Sequence, residues 1–371
     1  MSGPEPGDLG HLVDSARVLI CCGSGGVGKT TTAAVLAMEA ARRGRKAAVV
    51  TIDPARRLAN AMGLEGLSNE PGQVPGEWPG ELWALMLDTK STFDSLVTTY
   101  AADEAQAERI LANRFYQNIS GALSGTQEYM ATEKLYELHH DRDFDLVVVD
   151  TPPSRNALDF LDAPRRLARF LDHRLYRILM TPTRGVMKAA SAAAQAFVRS
   201  VTKVVGGEVF DDAVTFFTAF EGMEQGFKER ARAVEALLAD DSTAFVLVAS
   251  PRRDTVEEAR FFAAKLAESG IAVRALVVNR MQPRFGTATA AATDARAAEL
   301  SGTPIEPHLR NLAEMHAVAE REEHHLADLA AEVAPAPVIR VPLLASDVHD
   351  LEGLGRVADH LLAADVSSRP A

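Results

Sequence analysis

The chain has 371 residues, with 39 Lys and Arg against 51 Asp and Glu; the net charge of −12 disfavours a surface built throughout to grip nucleic acid. With 47% apolar residues, 24% charged residues and 25 glycines, disorder and fibre are excluded and one large core or two smaller ones can form. Two cysteines, Cys21 and Cys22, adjoin one another in an apolar run, unlike the spaced framework of a secreted disulfide protein, and point to a reducing compartment.

Residues 1–14 read as a loose tail: Met1 to Gly10 is acidic and rich in Gly and Pro, without the basic and apolar regions of a signal peptide. No stretch approaches the roughly 18 consecutive apolar residues of a membrane span, so a cytoplasmic protein is expected. Short β-branched runs then alternate with helical patterns. Val18 to Cys22, Ala47 to Ile52, Leu82 to Leu87, Leu146 to Val149, Phe245 to Val248 and Leu276 to Val278 read as buried strands. Thr30 to Arg43 is an alanine-rich helix stopped by Gly44, and Asp254 to Ser269 opens with a capping-box pattern, Asp254 followed by Glu257. The alternation predicts an α/β fold, a parallel sheet flanked by helices, occupying residues 15–364, with residues 365–371 as a C-terminal tail. Asn69 to Gly80 and Ala334 to Pro337 read as loops.

Two helical insertions, at about residues 91–140 and 159–240, are too long for single crossovers and predict a helical subdomain. Within the second, Arg165 to Lys203 holds nine basic residues and one acid, Asp172. Val186, Ala190, Ala193, Phe197, Val201 and Val204 give it an apolar face beside Lys188, Arg199 and Lys203. Packing on neighbouring helices is the favoured reading; contact with a partner or an anionic membrane surface is the alternative. His139-His140 and His324-His325 are adjacent pairs whose side chains diverge on a helix, and they read as surface residues.

The strongest signal is Gly23-Ser24-Gly25-Gly26-Val27-Gly28-Lys29-Thr30, which fits the phosphate-loop pattern G-x-x-x-x-G-K-[ST] between a strand and a helix. The glycines let successive N–H groups turn inward on a phosphate, and the helix N-terminus adds its partial positive charge. Nucleotide contacts are expected from Gly25, Gly26, Val27, Gly28, Lys29, Thr30 and Thr31, with Lys29 on the β- and γ-phosphates and Thr30 on Mg2+. Asp150 ends the apolar run Leu146 to Val149, the pattern that delivers a carboxylate to the Mg2+ shell. Asp53, at the end of the second predicted strand, is the candidate for orienting or deprotonating the attacking water. No N-K-x-D guanine motif occurs, and Val277-Val278-Asn279-Arg280 ends a late strand where Asn279 can meet adenine, which favours ATP over GTP.

These residues resemble the anion-transporting ATPase family, which includes the arsenical-pump ATPase and the eukaryotic factor that targets tail-anchored proteins. Gly23 to Thr31 resembles its deviant Walker A loop, Asp53 to Gly63 its switch I, and Asp150 to Ala157 its switch II. The segment Phe245 to Glu258 also occupies a family position; Asn279 and Val341-Pro342-Leu343-Leu344 are similar to its adenine pocket, implicating Pro342 and Leu343. The resemblance implies a dimer closing over ATP and Mg2+, Asp53 as water activator, and a helical subdomain that binds a client or adaptor.

Several departures qualify what transfers. The family's signature lysine, which reaches the opposite subunit's phosphates, is Ser24 here. A cation supplied in trans can be worth on the order of 10³–10⁵ in rate. Arg56, Arg57 and Arg155 are candidate stand-ins, but a heterodimer with a lysine-bearing paralogue is the preferred expectation. Pro152, Arg155, Asn156 and Ala157 replace family residues of switch II, so its coupling is expected to be altered. The zinc-holding C-x-x-C pair, arsenite-binding cysteines and a methionine-lined groove are all missing. Two alternatives remain at this stage: a regulatory subunit that binds ATP but turns it over poorly, and a partitioning-type ATPase associated with membrane or DNA.

Overall fold

The computed structural model describes residues 9–53, 55–120, 126–140, 142–151, 157–172 and 207–362. The chain divides into two compact units, one of residues 1–86, 138–158 and 241–371, the other of residues 87–137 and 159–240.

The first unit is an α/β layer structure. Its strands are β1 (Val18–Cys22), β2 (Lys46–Thr51), β3 (Gly72–Gln73), β4 (Glu81–Met86), β5 (Leu146–Asp150), β6 (Thr243–Ala249), β7 (Val273–Met281) and β8 (Val338–Pro342). They form one sheet in the order β3-β4-β2-β5-β1-β6-β7-β8, parallel except where β3 pairs antiparallel with β4 at one edge. Every residue of β1, β5 and β6 is buried, as expected of apolar strands covered on both faces. The connection after β1 leads to β2 on one side, while β6 and β7 lie on the other. The C-terminal end of β1 therefore sits where strand order reverses, the position at which open α/β sheets bind ligands.

The helices of this unit are α1 (Leu9–Ser15), α2 (Lys29–Arg42) and α3 (Arg57–Ala61), then α11 (Arg253–Glu268), α12 (Ala290–Glu299), α13 (Glu306–Val333) and α14 (Leu351–Leu361). Alanine at 33, 34, 37, 40 and 41 leaves α2 little more than backbone on its buried side, so it can lie close to the strands.

Four sequence expectations are revised. Residues 9–14, placed in the tail, form α1 together with Ser15 and bury Leu9, Leu12 and Val13 in the core. The capping box at Asp254 is not formed: the helix starts at Arg253 with Arg252 at its N-cap and no side-chain cap, and the Asp254 carboxylate pairs with Arg252 instead. Gly72–Gln73, inside an expected loop, makes the short edge strand. The late strand runs to Met281, beyond the expected end, because an irregularity lets it continue past Val278. Residues 365–371 lie outside the described residues.

The second unit is helical, with α4 (Thr89–Tyr100), α5 (Glu104–Leu111), α6 (Arg114–Ile119), α8 (Ala157–Asp172, from 159), α9 (Gly207–Ala219), α10 (Glu224–Leu238) and most of α7 (Thr126–His140). Asp88, Asp103 and Asn113 each cap the helix that follows by accepting a backbone N–H. Aromatic rings fill its core: Phe227 packs against Phe93, Tyr100 and Phe220, and Tyr116 against Phe93 and Phe216. Most of the basic stretch from Arg165 to Lys203, including its apolar face, lies outside the described residues, as do Pro152, Arg155 and Asn156. His140, His324 and His325 are exposed, and the described residues hold no cluster fit for a metal ion. No described helix is long and apolar enough to cross a membrane.

Candidate functional site

The loop from Gly23 to Gly28 leaves β1 and enters α2, and its geometry requires glycine at both ends. Gly23 has φ +145°, and a Cβ there would lie 2.0 Å from the Val248 carbonyl oxygen. Gly28 has φ +100°, and its Cβ would lie 2.1 Å from Asn279 Nδ2. Lys29, only 6% exposed, turns its ammonium back over the loop and donates to the carbonyls of Gly23 (3.0 Å) and Ser24 (2.8 Å). Burial lowers its pKa, and nearby Asp150 opposes that shift.

Strand register brings two acids to the same edge of the sheet. Asp150 on β5 lies opposite Cys21 on β1 and Thr51 on β2, and Asp53 follows two residues after Thr51. Asp150 is 1% exposed, and its Oδ2 accepts hydrogen bonds from Thr30 Oγ1 and Thr51 Oγ1, both at 2.8 Å. Its other oxygen, Oδ1, is buried with no partner among the described residues. Burial raises the Asp150 pKa above the ordinary carboxylate value, while the two hydroxyls and Lys29 pull it back. Asp53 is better solvated. Its Oδ1 accepts the Ala55 N–H at 3.0 Å and its Oδ2 lies 3.5 Å from Arg57 Nη1.

Lys29, Thr30, Asp53, Arg57 and Asp150 line a cavity of about 580 Å3, together with Gly25, Gly26, Gly28, Thr31, Asn60, Ala61, Thr151, Arg280 and Val348. A hard divalent cation with its water is what an orphaned buried carboxylate oxygen beside a threonine hydroxyl suits, and Thr30 and Asp150 are the residues that could hold it. Lys29, the loop amides and the start of α2 suit the phosphate chain that such a cation accompanies.

Other residues expected at the site stand outside the lining of this cavity. Val27, Asn279, Pro342 and Leu343 are not on the cavity wall. Asn279 was expected at a strand end facing adenine. It sits within β7, where its amide nitrogen donates to the Val27 carbonyl at 2.9 Å and its oxygen accepts the N–H of Arg280 at 2.9 Å. Leu343 is 55% exposed just beyond β8, its N–H on the Met281 carbonyl. Ser24, which the resemblance sets at the signature-lysine position, is 5% exposed with its Oγ unpartnered among the described residues, so this side chain points into the protein.

Two contributors escaped the sequence reading. Thr51 serves Asp150 from the neighbouring strand, a relation that only register reveals. Arg280 stands in the run that singled out Asn279, but nothing in the spacing announces the bulge that turns it toward the loop. Opposite β8, Val278 pairs with Arg340 and Met281 with Pro342, so β7 carries one extra residue at 279–280. Arg280 takes the left-handed φ of 63°, which costs a non-glycine residue roughly 1–2 kcal/mol. Its guanidinium donates to the Gly26 carbonyl at 3.0 Å.

A family model described as anion-transporting ATPase matches residues 16–297. The chain is 25% identical over 361 residues to ATPase GET3 of Malassezia globosa, an alignment covering 96% of this chain and 95% of that protein. It is 30% identical over 268 residues to Uncharacterized protein SCO2128 of Streptomyces coelicolor, covering 72% and 63%. Over 285 residues it is 25% identical to ATPase ARSA2 of Chlamydomonas reinhardtii, covering 75% and 72%. The match thus spans nearly all of the fungal ATPase and just under two thirds of the Streptomyces protein.

Proposed function

The chain belongs to the anion-transporting ATPase family, and from that premise we propose that it binds ATP with Mg2+ in the phosphate-loop cavity and hydrolyses it. The observation that carries this reading is Asp150: a carboxylate buried beside Lys29, with one oxygen held by Thr30 and Thr51 and the other left without a partner. Such an arrangement is costly unless a cation completes it.

In this reading the amides of Gly25 to Gly28 and of Lys29 to Thr31 cradle the phosphates, and Lys29 exchanges its loop carbonyls for phosphate oxygens. Thr30 and Asp150 hold Mg2+, which when bound offsets charge on the β- and γ-phosphates. Asp53 accepts a proton from water as the water oxygen attacks the γ-phosphorus. The bond from that phosphorus to the β-phosphate oxygen breaks, leaving ADP and inorganic phosphate. Pro342 and Leu343 offer apolar surface to adenine, and the second amide hydrogen of Asn279 is available to its edge.

The finer architecture extends the same reading. Residues 15–364 work as one nucleotide-driven domain whose helical insertions receive a client or adaptor, in the cytoplasm, where two free thiols suit a reducing medium. Two subunits close over ATP, and because Ser24 is short and inward-facing, the partner is a homologous ATPase subunit that carries the lysine. Ser24 equally supports a second reading, a subunit that retains ATP but turns it over poorly.

Turnover by the purified chain, alone and mixed with a lysine-bearing paralogue, separates the two. Stimulation in the mixture supports the heterodimer, and negligible turnover in both supports the regulatory subunit. Asp53→Asn should abolish hydrolysis while sparing ATP binding; an unchanged rate removes Asp53 from its assigned role.

A further inference from the structure

We propose that Arg280 is a second cationic ligand of the nucleotide's phosphate chain, acting in cis beside Lys29; this role rests on assigning the cavity to ATP. A bulge in β7 and a left-handed φ at 280 are together an unfavourable way to continue a strand, and their effect is to turn two consecutive side chains onto the phosphate loop. Asn279 takes the Val27 carbonyl and Arg280 the Gly26 carbonyl. The absent Cβ of Gly28 is what lets the Asn279 amide approach.

Holding a carbonyl needs one neutral donor, and Arg280 brings five N–H donors and a full charge. One nitrogen serves Gly26, and among the described residues no carboxylate pairs with the guanidinium. Other arginines of this unit do have such partners: Arg284 pairs with Glu320, Arg310 with Glu306, and Arg340 with Glu323. Arg57, the other arginine on the cavity wall, lies against Asp53. Arg280 is thus a cation on the wall of the cavity, with no acidic partner among the described residues, in a chain of net charge −12. A planar guanidinium is suited to take two phosphate oxygens at once.

The test is calorimetric titration of Mg–ATP and Mg–ADP into wild type, R280Q and R280K, at low and at moderate salt. Glutamine keeps a donor for Gly26 and removes the charge; lysine keeps the charge. At low salt R280Q should bind ATP about 10- to 100-fold more weakly. The deficit should shrink as salt screens the lost attraction, and R280K should recover much of it. An equal loss for ADP puts the guanidinium on the α- or β-phosphate, and a loss confined to ATP puts it on the γ-phosphate; either supports the proposal. Wild-type affinity in R280Q overturns it. So does a deficit that salt leaves unchanged and lysine fails to repair, the mark of a structural clasp alone. If the wild-type chain takes up neither nucleotide, the assignment of the cavity fails first, and the wild-type titration by itself reveals that failure.

Discussion

Asp150→Asn should make the protein more stable while removing its Mg2+-dependent chemistry. The Asp150 carboxylate has one oxygen satisfied by two hydroxyls and one buried without a partner. A buried polar atom left unsatisfied costs about 1–3 kcal/mol, and more when charged. Asparagine keeps an oxygen for Thr30 and Thr51 and removes the charge, but leaves an unpaired amide behind, so the net gain should be about 1–2 kcal/mol. The pH dependence follows from the raised pKa. The folded state holds the Asp150 proton more tightly than the unfolded chain, so the penalty is full above the folded value. It fades as pH falls through the folded value toward the ordinary carboxylate range near about 4. Urea unfolding without nucleotide or Mg2+ reads this directly, because the only two tryptophans, Trp78 and Trp83, both lie in the α/β unit. The variant should have the higher midpoint at pH 7, with the gap narrowing on acidification. Mg–ATP should then stabilise the wild type far more than the variant. A less stable variant at pH 7, or a gap indifferent to pH, refutes the reasoning.

Gly28→Ala puts a methyl group 2.1 Å from Asn279 Nδ2 in a left-handed backbone. It should cost about 2–3 kcal/mol and abolish nucleotide uptake, and unchanged urea midpoints and titrations would count against it. Cys21 and Cys22 are buried, and burial pushes the Cys22 thiol up to about 12. Native protein at neutral pH should therefore resist iodoacetamide while both thiols react in urea, and rapid native labelling seen by mass spectrometry contradicts this. In the helical unit, Arg230 Nε donates to Glu133 Oε2 at 2.8 Å, and Glu133 is 1% exposed. Arg230→Met removes this charged hydrogen bond to a buried carboxylate and should cost about 1.5–3 kcal/mol; circular dichroism in urea that matches wild type would contradict this.

What the sequence made legible was local. Val18 to Cys22 and Leu146 to Val149 are apolar runs, and strands buried on both faces give that signature whatever their neighbours. The glycine spacing from 23 to 28 is equally explicit, because Gly23, Gly26 and Gly28 all take positive φ, which glycine adopts at no steric cost. What escaped depended on distant partners. Leu9 and Val13 look like tail residues until the core receives them. The capping pattern at Asp254 lost its place because the helix begins one residue earlier, at Arg253, and the carboxylate pairs with Arg252. Asn279 was noticed for the right strand, but its part in supporting the loop depends on a register slip between β7 and β8, which leaves no trace in hydrophobic spacing. Arg280 beside it was overlooked for the same reason.

The central claim is that the loop around Gly28 and Lys29 receives a nucleoside triphosphate with its metal. Equilibrium titration of Mg–ATP into the intact folded chain tests it most directly. Saturable uptake of one nucleotide per chain is expected, weakened strongly in Lys29→Ala; no uptake by folded wild-type protein, or equal uptake by the variant, would refute it.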